Sequence, residues 1–306
     1  IATKNNIYVY YMKFELFSNG RRMCMCTTGA IVLNDCNGNK RVFGFKTSDS
    51  PWTGFWHAQV NQREGVDSLA YGLLPQQGIN AGMNQLGVTV ISSYFDYKSH
   101  QPLMKETLTD NPYWGGDLRG IIQGEVLAKC KDADEAKMLF ERSFTDVKAP
   151  VGGNHIILDK FGTIYVFEHC RGQTGLQIAT DQGYVARSNQ SLLLFQEEQM
   201  KQKEAVRLDR ELRLQQAEHI LSDLKKDEDT IKNEDVLRRL RALTSLHIGE
   251  GNQLGSICAH DITEGRSNST EPHQTTSALI WDINNRRMHY TIGQPCQSEW
   301  KEMQFT

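Results

Sequence analysis

Residues 26–46 read CTTGAIVLNDCNGNKRVFGFK. The runs CTTGAIVLN (26–34) and RVFGFK (41–46) flank Asp35-Cys36-Asn37-Gly38-Asn39. Asn-Gly between β-branched runs is a strong hairpin signal, because both residues tolerate the positive φ of a tight turn. The stretch predicts an antiparallel strand pair with Cys26 at its first position and Lys46 at its last.

Strand signals continue on both sides. Residues 6–17 alternate enough for a strand, and Gly82-Met83-Asn84-Gln85-Leu86-Gly87 reads as a turn feeding VTVISSYF (88–95). Asn154–Asp159 and Thr163–His169 form two more strands around a tight turn at Gly162. Ser277–Asp282 and Met288–Ile292 form another pair around Asn284-Asn285-Arg286-Arg287. Helical spacing of apolar residues covers 117–129 and 132–144, with Asp132 or Asp134 as the cap of the second helix. Residues 191–224 lack Gly and Pro and are dense in Gln, Glu, Lys and Arg, which predicts a helix, single or kinked into two, with a solvated face. Residues 225–232 read as an exposed connection and 233–243 as a short helix, so the helical excursion spans about 191–243. No repeat or linker interrupts this order, which predicts layers of sheet and helix in one domain, 1–306.

Composition narrows the function classes. Hydrophobic residues at 39 % and charged residues at 23 % fit a globular chain with a substantial core. A net charge of −3 leaves no basic field for nucleic acid, so no nucleic-acid partner is expected. No apolar run approaches the roughly 20 residues of a membrane helix, so no membrane span is expected; Ile7–Met12 is apolar but short. Seven cysteines without a regular framework suit reduced thiols and a cytoplasmic location, unless a signal peptide was removed before Ile1. Asn189-Gln190-Ser191 and Asn268-Ser269-Thr270 are glycosylation sequons. A homo-oligomer is left open.

Several chemistries lack their motif. There is no G-x-S-x-G, H-E-x-x-H, P-loop or dinucleotide fingerprint. The metal-like spacings are Cys24-Met25-Cys26 and Cys258-Ala259-His260, and neither is a C-x₂-C pair. The expectation is therefore scattered thiols, with no metal and no cofactor.

Other short motifs fall in a telling order. Cys26-Thr27-Thr28-Gly29-Ala30 comes first, followed by Lys46 and Asp49, GMNQLGV (82–88), NHIILDKFGTIYVFEH (154–169) and ARSNQ (186–190). Arg210 and Arg213 come next, then SICAH (256–260) and TTSALIWDINNRRMHYTIGQPC (275–296). From about residue 24 to 297 this set resembles the acyl-coenzyme A:6-aminopenicillanic-acid acyltransferase family, the isopenicillin-N acyltransferase-like proteins. It is more distantly similar to bile-salt hydrolases and acid ceramidase. The resemblance implies an α+β fold, the four-layer αββα sandwich of N-terminal-nucleophile hydrolases. It also implies scission at Met25–Cys26, which would make 1–25 a propeptide or small subunit and 26–306 the catalytic part.

The resemblance assigns roles as well. Cys26 becomes the nucleophile, Asp49 contacts it, and Lys46 stands where bile-salt hydrolases carry arginine. Asn189 matches the oxyanion-hole asparagine. Arg210 matches an active-site arginine, with Arg207 and Arg213 as alternative registers. Ser92 and Ser93 occupy the strand of a second oxyanion contact, and Trp52, Phe55, Trp56 and Trp114 are candidates for an acyl pocket. The implied substrate is a small N-acyl amide, hydrolysed or used to acylate an amine; a coenzyme A thioester is the candidate donor if transfer dominates.

The chemistry holds on its own terms. A thiol with an ordinary pKa near 8.5 needs a base, and scission before Cys26 supplies one in its own α-amine, near pH 8. Three residues depart from the family pattern: Met25 replaces a glycine, Lys46 loses the guanidinium fork, and Gln190 stands where relatives often have histidine. Two other readings compete. One is an uncleaved binding or assembly module of the same fold. The other is a Cys–His hydrolase with His57, His155 or His260 as base. Cys24 is a rival nucleophile, and Asn84 is read mainly as a turn residue.

Overall fold

The predicted hairpin forms and sets the frame. In the computed structural model, which describes residues 25–50, 54–73, 76–95, 118–145, 151–261 and 273–306, β1 (Met25–Asn34) pairs antiparallel with β2 (Lys40–Ser50). The turn closes as its composition demands. Gly38 takes φ +79°, and the Asp35 carboxylate accepts from the backbone N–H of Asn37 and Asn39, both at 2.8 Å.

Two antiparallel sheets result. The first places β1 and β2 beside β10 (Tyr184–Arg187), β11 (Gln274–Asp282), β12 (Arg287–Tyr290) and β13 (Lys301–Gln304), in the order β10-β1-β2-β11-β12-β13. The second runs in sequence order: β3 (Phe55–Val60), β4 (Ser68–Leu73), β5 (Ala81–Asn84), β6 (Thr89–Phe95), β7 (Gly152–Leu158), β8 (Ile164–Cys170) and β9 (Gln173–Ile178).

The period-2 alternation of each strand divides its side chains between layers. Ala30, Val32 and Val42 point between the sheets, where they meet Leu69, Met83, Ile91, Ile156 and Trp281. Ile31, Leu33, Phe43 and Phe45 point outward, against α4 (Glu204–Lys226) and α5 (Asn233–Thr244). On the far side, Val88, Val90, Ile157 and Phe167 meet α1 (Arg119–Lys129) and α2 (Ala133–Phe144). The four-layer αββα sandwich expected from the sequence is the observed fold. Asp132 rather than Asp134 caps α2, accepting from Glu135 N–H at 2.8 Å.

The departures have physical causes. The strand expected over 6–17 lies outside the described residues. The long helix expected over 191–224 is two, α3 (Gln196–Met200) and α4. Helix α4 is not simply solvated: it buries Val206, Leu214, Ala217, Leu221 and Leu224, and with them Asp209, Arg210 and Arg213. Strands β3, β4, β9, β10 and β13 carried no clear signal, and β5 lies where a turn was expected; β9 (QTGLQI) is an edge strand without a fully buried residue.

Two histidines are built into the helix α2 side of the core. His155 lies 4.6 Å from the Phe140 ring and 5.2 Å from His169, and His169 stacks on Phe144 at 3.8 Å. Burial lowers His155 well below the usual histidine range, and the charges of His169 and Arg119 add to this. Burial, then Arg119, lowers His169 to about 3. Both are neutral in the folded chain at neutral pH, whereas an unfolded histidine protonates near 6.5. The stability tied to these rings is therefore whole above about pH 6.5 and is lost as the pH falls towards 3. Each contributes a slope of about 1.4 kcal/mol per pH unit. Urea melts between pH 7 and pH 4.5 should show this slope, and His169→Phe should reduce it. An identical slope in that variant would place the titrating group elsewhere.

Candidate active site

The pairing of β1 with β2 puts Cys26 opposite Ser48 and Thr28 opposite Lys46. These positions share the parity of Ala30, Val32 and Val42, so the Cys26 thiol and the Lys46 side chain both enter the space between the sheets. Lys46 is fully buried. Its Nζ donates to Cys26 Sγ at 3.0 Å and to the Ser92 carbonyl, on the facing sheet, at 2.6 Å. No carboxylate forms an ion pair with it among the described residues. The ammonium therefore stands against the sulfur that must carry negative charge when it attacks.

The main chain of Cys26 is held from other directions. Its N–H donates to Asn189 Oδ1 at 2.7 Å, while Asn189 Nδ2 donates to the Tyr94 carbonyl at 2.7 Å. A donor on one side and an acceptor on the other fix which way the carboxamide faces. The Cys26 carbonyl accepts from Arg213 Nη1 at 2.8 Å. The same guanidinium reaches Thr27 Oγ1 at 3.1 Å and Asn189 Oδ1 at 3.4 Å. One turn back along α4, Asp209 pairs with Arg213 Nε at 2.9 Å, both side chains fully buried, and accepts from Gly255 N–H at 2.9 Å. Breaking such a buried pair by removing one partner typically costs about 3–5 kcal/mol.

Other expected site residues take different places. Arg210 is buried but donates to Gln202 Oε1 at 2.6 Å; the arginine on Cys26 is Arg213, the alternative register. Arg207 Nη1 lies 3.4 Å from the exposed Met200 sulfur. Asp49 is buried opposite Met25, with the parity of Phe43 and Phe45, so it faces the helix side rather than the thiol. It accepts from Thr275 Oγ1 at 2.6 Å, and that hydroxyl also accepts from Ala259 N–H at 2.8 Å. Ser92 contributes its carbonyl to Lys46, whereas its hydroxyl turns away to the Asn80 carbonyl at 2.8 Å and to Gln123 of α1. Ser93 Oγ donates to the Ser188 carbonyl at 3.0 Å. Trp56 packs on Ala70, Ile79 and Leu127, the α1 side of its sheet, so it does not face Cys26. Trp52, Trp114 and Cys24 lie outside the described residues.

None of the three candidate histidines bonds the Cys26 thiol among the described residues. His57 is 3.0 Å from Ser277 Oγ and stacks on Tyr290, and His155 sits in the aromatic layer under α2. His260 lies beside Cys258 and Cys296. Asn84 is a turn residue: its Oδ1 accepts from Leu86 and Val88 N–H, and its Nδ2 donates to the Leu127 and Cys130 carbonyls.

Three supporting residues escaped the sequence reading. Asn154 Nδ2 donates to the Ser188 and Gln190 carbonyls at 3.2 and 3.0 Å, which staples the segment carrying Asn189 to β7. Nothing in its motif marks it. Thr275 links Asp49 to Ala259. Asp209 stands four residues before Arg213, a readable helical pair, but its burial was hidden by the charge around it.

No protein-family model matches the chain, and no curated protein matches it in sequence. Solved structures do match. Penicillin V acylase from Agrobacterium tumefaciens superposes with a TM-score of 0.54 at 13 % identity, over 90 % of this chain and 86 % of that one. The C2A mutant of conjugated bile acid hydrolase from Clostridium perfringens gives 0.51 at 11 %, over 91 % of this chain and 97 % of that one. At such identities the likeness establishes the shared αββα fold and no more.

Proposed function

We propose that this chain is a cysteine amidohydrolase of the N-terminal-nucleophile type, activated by scission of its own Met25–Cys26 bond. The observation that carries the reading is that three atoms of Cys26 each have a dedicated polar partner: Sγ has Lys46, N has Asn189 and O has Arg213. Any buried N–H and C=O needs a partner, but a cysteine that only fills core space needs no buried cation on its sulfur and no side chains converging on its main chain. The fold shared with penicillin V acylase and conjugated bile acid hydrolase points the same way.

In the continuous chain the Cys26 nitrogen is an amide. Scission makes the same atom an α-amine, already held by Asn189 Oδ1 with the Arg213 guanidinium nearby. That positive charge favours the neutral amine, the form able to accept the thiol proton. Cys26 Sγ then attacks the carbonyl carbon of an N-acyl amide, and Lys46 stabilises charge on the sulfur as it forms and again as it leaves. The amine product takes its proton from the ammonium of Cys26. Water releases the acyl group, or an acceptor amine does so by transfer. In this arrangement Asn189 orients the nitrogen that serves as base rather than supplying an oxyanion donor in the resting chain. The substrate class we assign is a small, non-peptide N-acyl amide, and the chemistry requires no cofactor.

Denatured intact mass, recorded for the wild type and for Cys26→Ala, tests the activation step. The wild type should separate between Met25 and Cys26 and the variant should stay whole. A single uncut wild-type mass after long incubation sinks the α-amine mechanism and leaves an uncleaved binding module or another base. With an N-acyl amide that the wild type turns over, Lys46→Met should lower kcat/KM by roughly 10²–10³-fold, the usual loss for one preorganised charge or donor, and Lys46→Arg should recover part of it. Full activity in Lys46→Met would remove the lysine from the mechanism. Arg213→Lys keeps the charge but loses the multiple contacts, so kcat/KM should fall roughly 10- to 100-fold, as expected for about 1.5–3 kcal/mol of charged hydrogen bonding. Arg210→Lys should do much less, and the reverse ranking would return the site arginine to position 210.

A further inference from the structure

The chain after α5, residues 245–261, folds back on itself. Ile257 and Cys258 N–H both donate to the Leu246 carbonyl, at 2.9 and 2.8 Å, and His260 N–H donates to the Gly251 carbonyl at 2.9 Å. Gly251 has φ +89°, and a Cβ there would stand 2.3 Å from the His260 ring, so only glycine lets this backbone lie against the imidazole. A second segment follows β12. Gly293 N–H donates to the Thr276 carbonyl at 2.8 Å, and three residues later the chain presents Cys296.

These segments bring Cys296 to His247, Cys258 and His260, which share the stretch 247–260. Cys258 Sγ is 3.5 Å from Cys296 Sγ, and His260 Nε2 is 3.1 Å from Cys296 Sγ and 3.6 Å from Cys258 Sγ. A ring nitrogen of His247, a ring nitrogen of His260 and Cys296 Sγ form a second, overlapping group whose ligand atoms all lie within 4.8 Å of one another. His247 Nδ1 sits 3.0 Å from the Gly249 carbonyl, an outer hydrogen bond of the kind that turns Nε2 towards a metal. With zinc–sulfur and zinc–nitrogen bonds of about 2.3 and 2.0–2.1 Å, a tetrahedron has sulfur–sulfur and sulfur–nitrogen edges of about 3.8 and 3.5 Å. The three separations among Cys258, Cys296 and His260 are close to those edges, and His247 stands within 4.8 Å of the ligand atoms of His260 and Cys296. A disulfide would instead need the sulfurs at about 2.05 Å and would use neither imidazole.

We propose that Cys258, Cys296, His260 and His247 form a closed tetrahedral site for a thiophilic divalent cation of the zinc class. Binding converts two thiols to metal-bound thiolates and releases two protons to solvent. With four protein ligands and no open position, the site is structural. It ties the 245–261 segment to the segment after β12. Through the paired backbone of Ala259 and Thr275 and the Thr275 hydroxyl, it also steadies Asp49. The sequence expectation of no metal rested on the lack of C-x₂-C pairs; here the ligands converge from two segments of the fold.

Elemental analysis of the full chain purified without chelator should find about one zinc per chain. Cobalt(II) titration of chelator-treated protein, in a Cys26→Ala background that removes the nucleophilic thiol, should give a one-equivalent tetrahedral spectrum with a thiolate charge-transfer band. Cys296→Ser and His247→Gln, whose side chains are exposed, should lose or weaken that spectrum while a thermal melt still shows a folded protein. A cobalt spectrum unchanged by Cys296→Ser overturns the proposal. So does protein that binds neither metal, or a non-reducing mass two hydrogens light with a Cys258–Cys296 cross-link.

Discussion

A lysine ammonium without a carboxylate partner among the described residues, shut between two sheets and resting on a thiol sulfur, is the constraint on which the rest of this molecule turns. An isolated charge costs many kcal/mol to desolvate unless other groups replace the water. The Ser92 carbonyl and the Cys26 sulfur are those groups. The carbonyl comes from one sheet and the thiol from the other, so the sandwich must be packed before Lys46 is solvated by protein. Fold and reactivity rest on the same contact.

The hairpin sorts the groups around Cys26 by side. The thiol and Lys46 face inward, where the sheets exclude water. The main-chain nitrogen and carbonyl are managed by Asn189 and by the Asp209–Arg213 pair of α4, which approaches from the helical layer. Arg213 links β1, the Asn189 segment and α4. Helix α4 therefore acts as a positioning element as well as a cover, which explains why a helix so rich in charge keeps Asp209 and Arg213 out of solvent.

Much of the fold was legible because it rests on local rules. Asn37-Gly38 set the hairpin, Asp132 capped α2, and the turn at Gly162 joined β7 to β8. Cys26 and Lys46 were singled out by motif order, and the structure puts them in contact. What escaped depends on three-dimensional convergence. Arg207, Arg210 and Arg213 look alike in a charged helix, and the packing of α4 on β1 and β10 picks the one that reaches Cys26. Asp49 has the spacing expected of a partner of the nucleophile, yet its parity turns it to the other face. Ser92 matters through its carbonyl, which every residue possesses, so no side-chain motif could report it. The Cys258 and Cys296 sulfurs meet only because two loops are folded against β11.

The alternation of β1 also makes that strand a ruler. Between Cys26 and the turn at Asp35 each residue reverses the face presented. Removal or addition of a single residue there would carry the thiol from the dry gap to the helical side, leaving every other residue identity intact. Length changes in this strand are compatible with the site only in steps of two, whereas the turn at 35–39 can vary without moving the thiol. Natural insertions and deletions in chains of this kind should therefore gather at the turn and spare the strand.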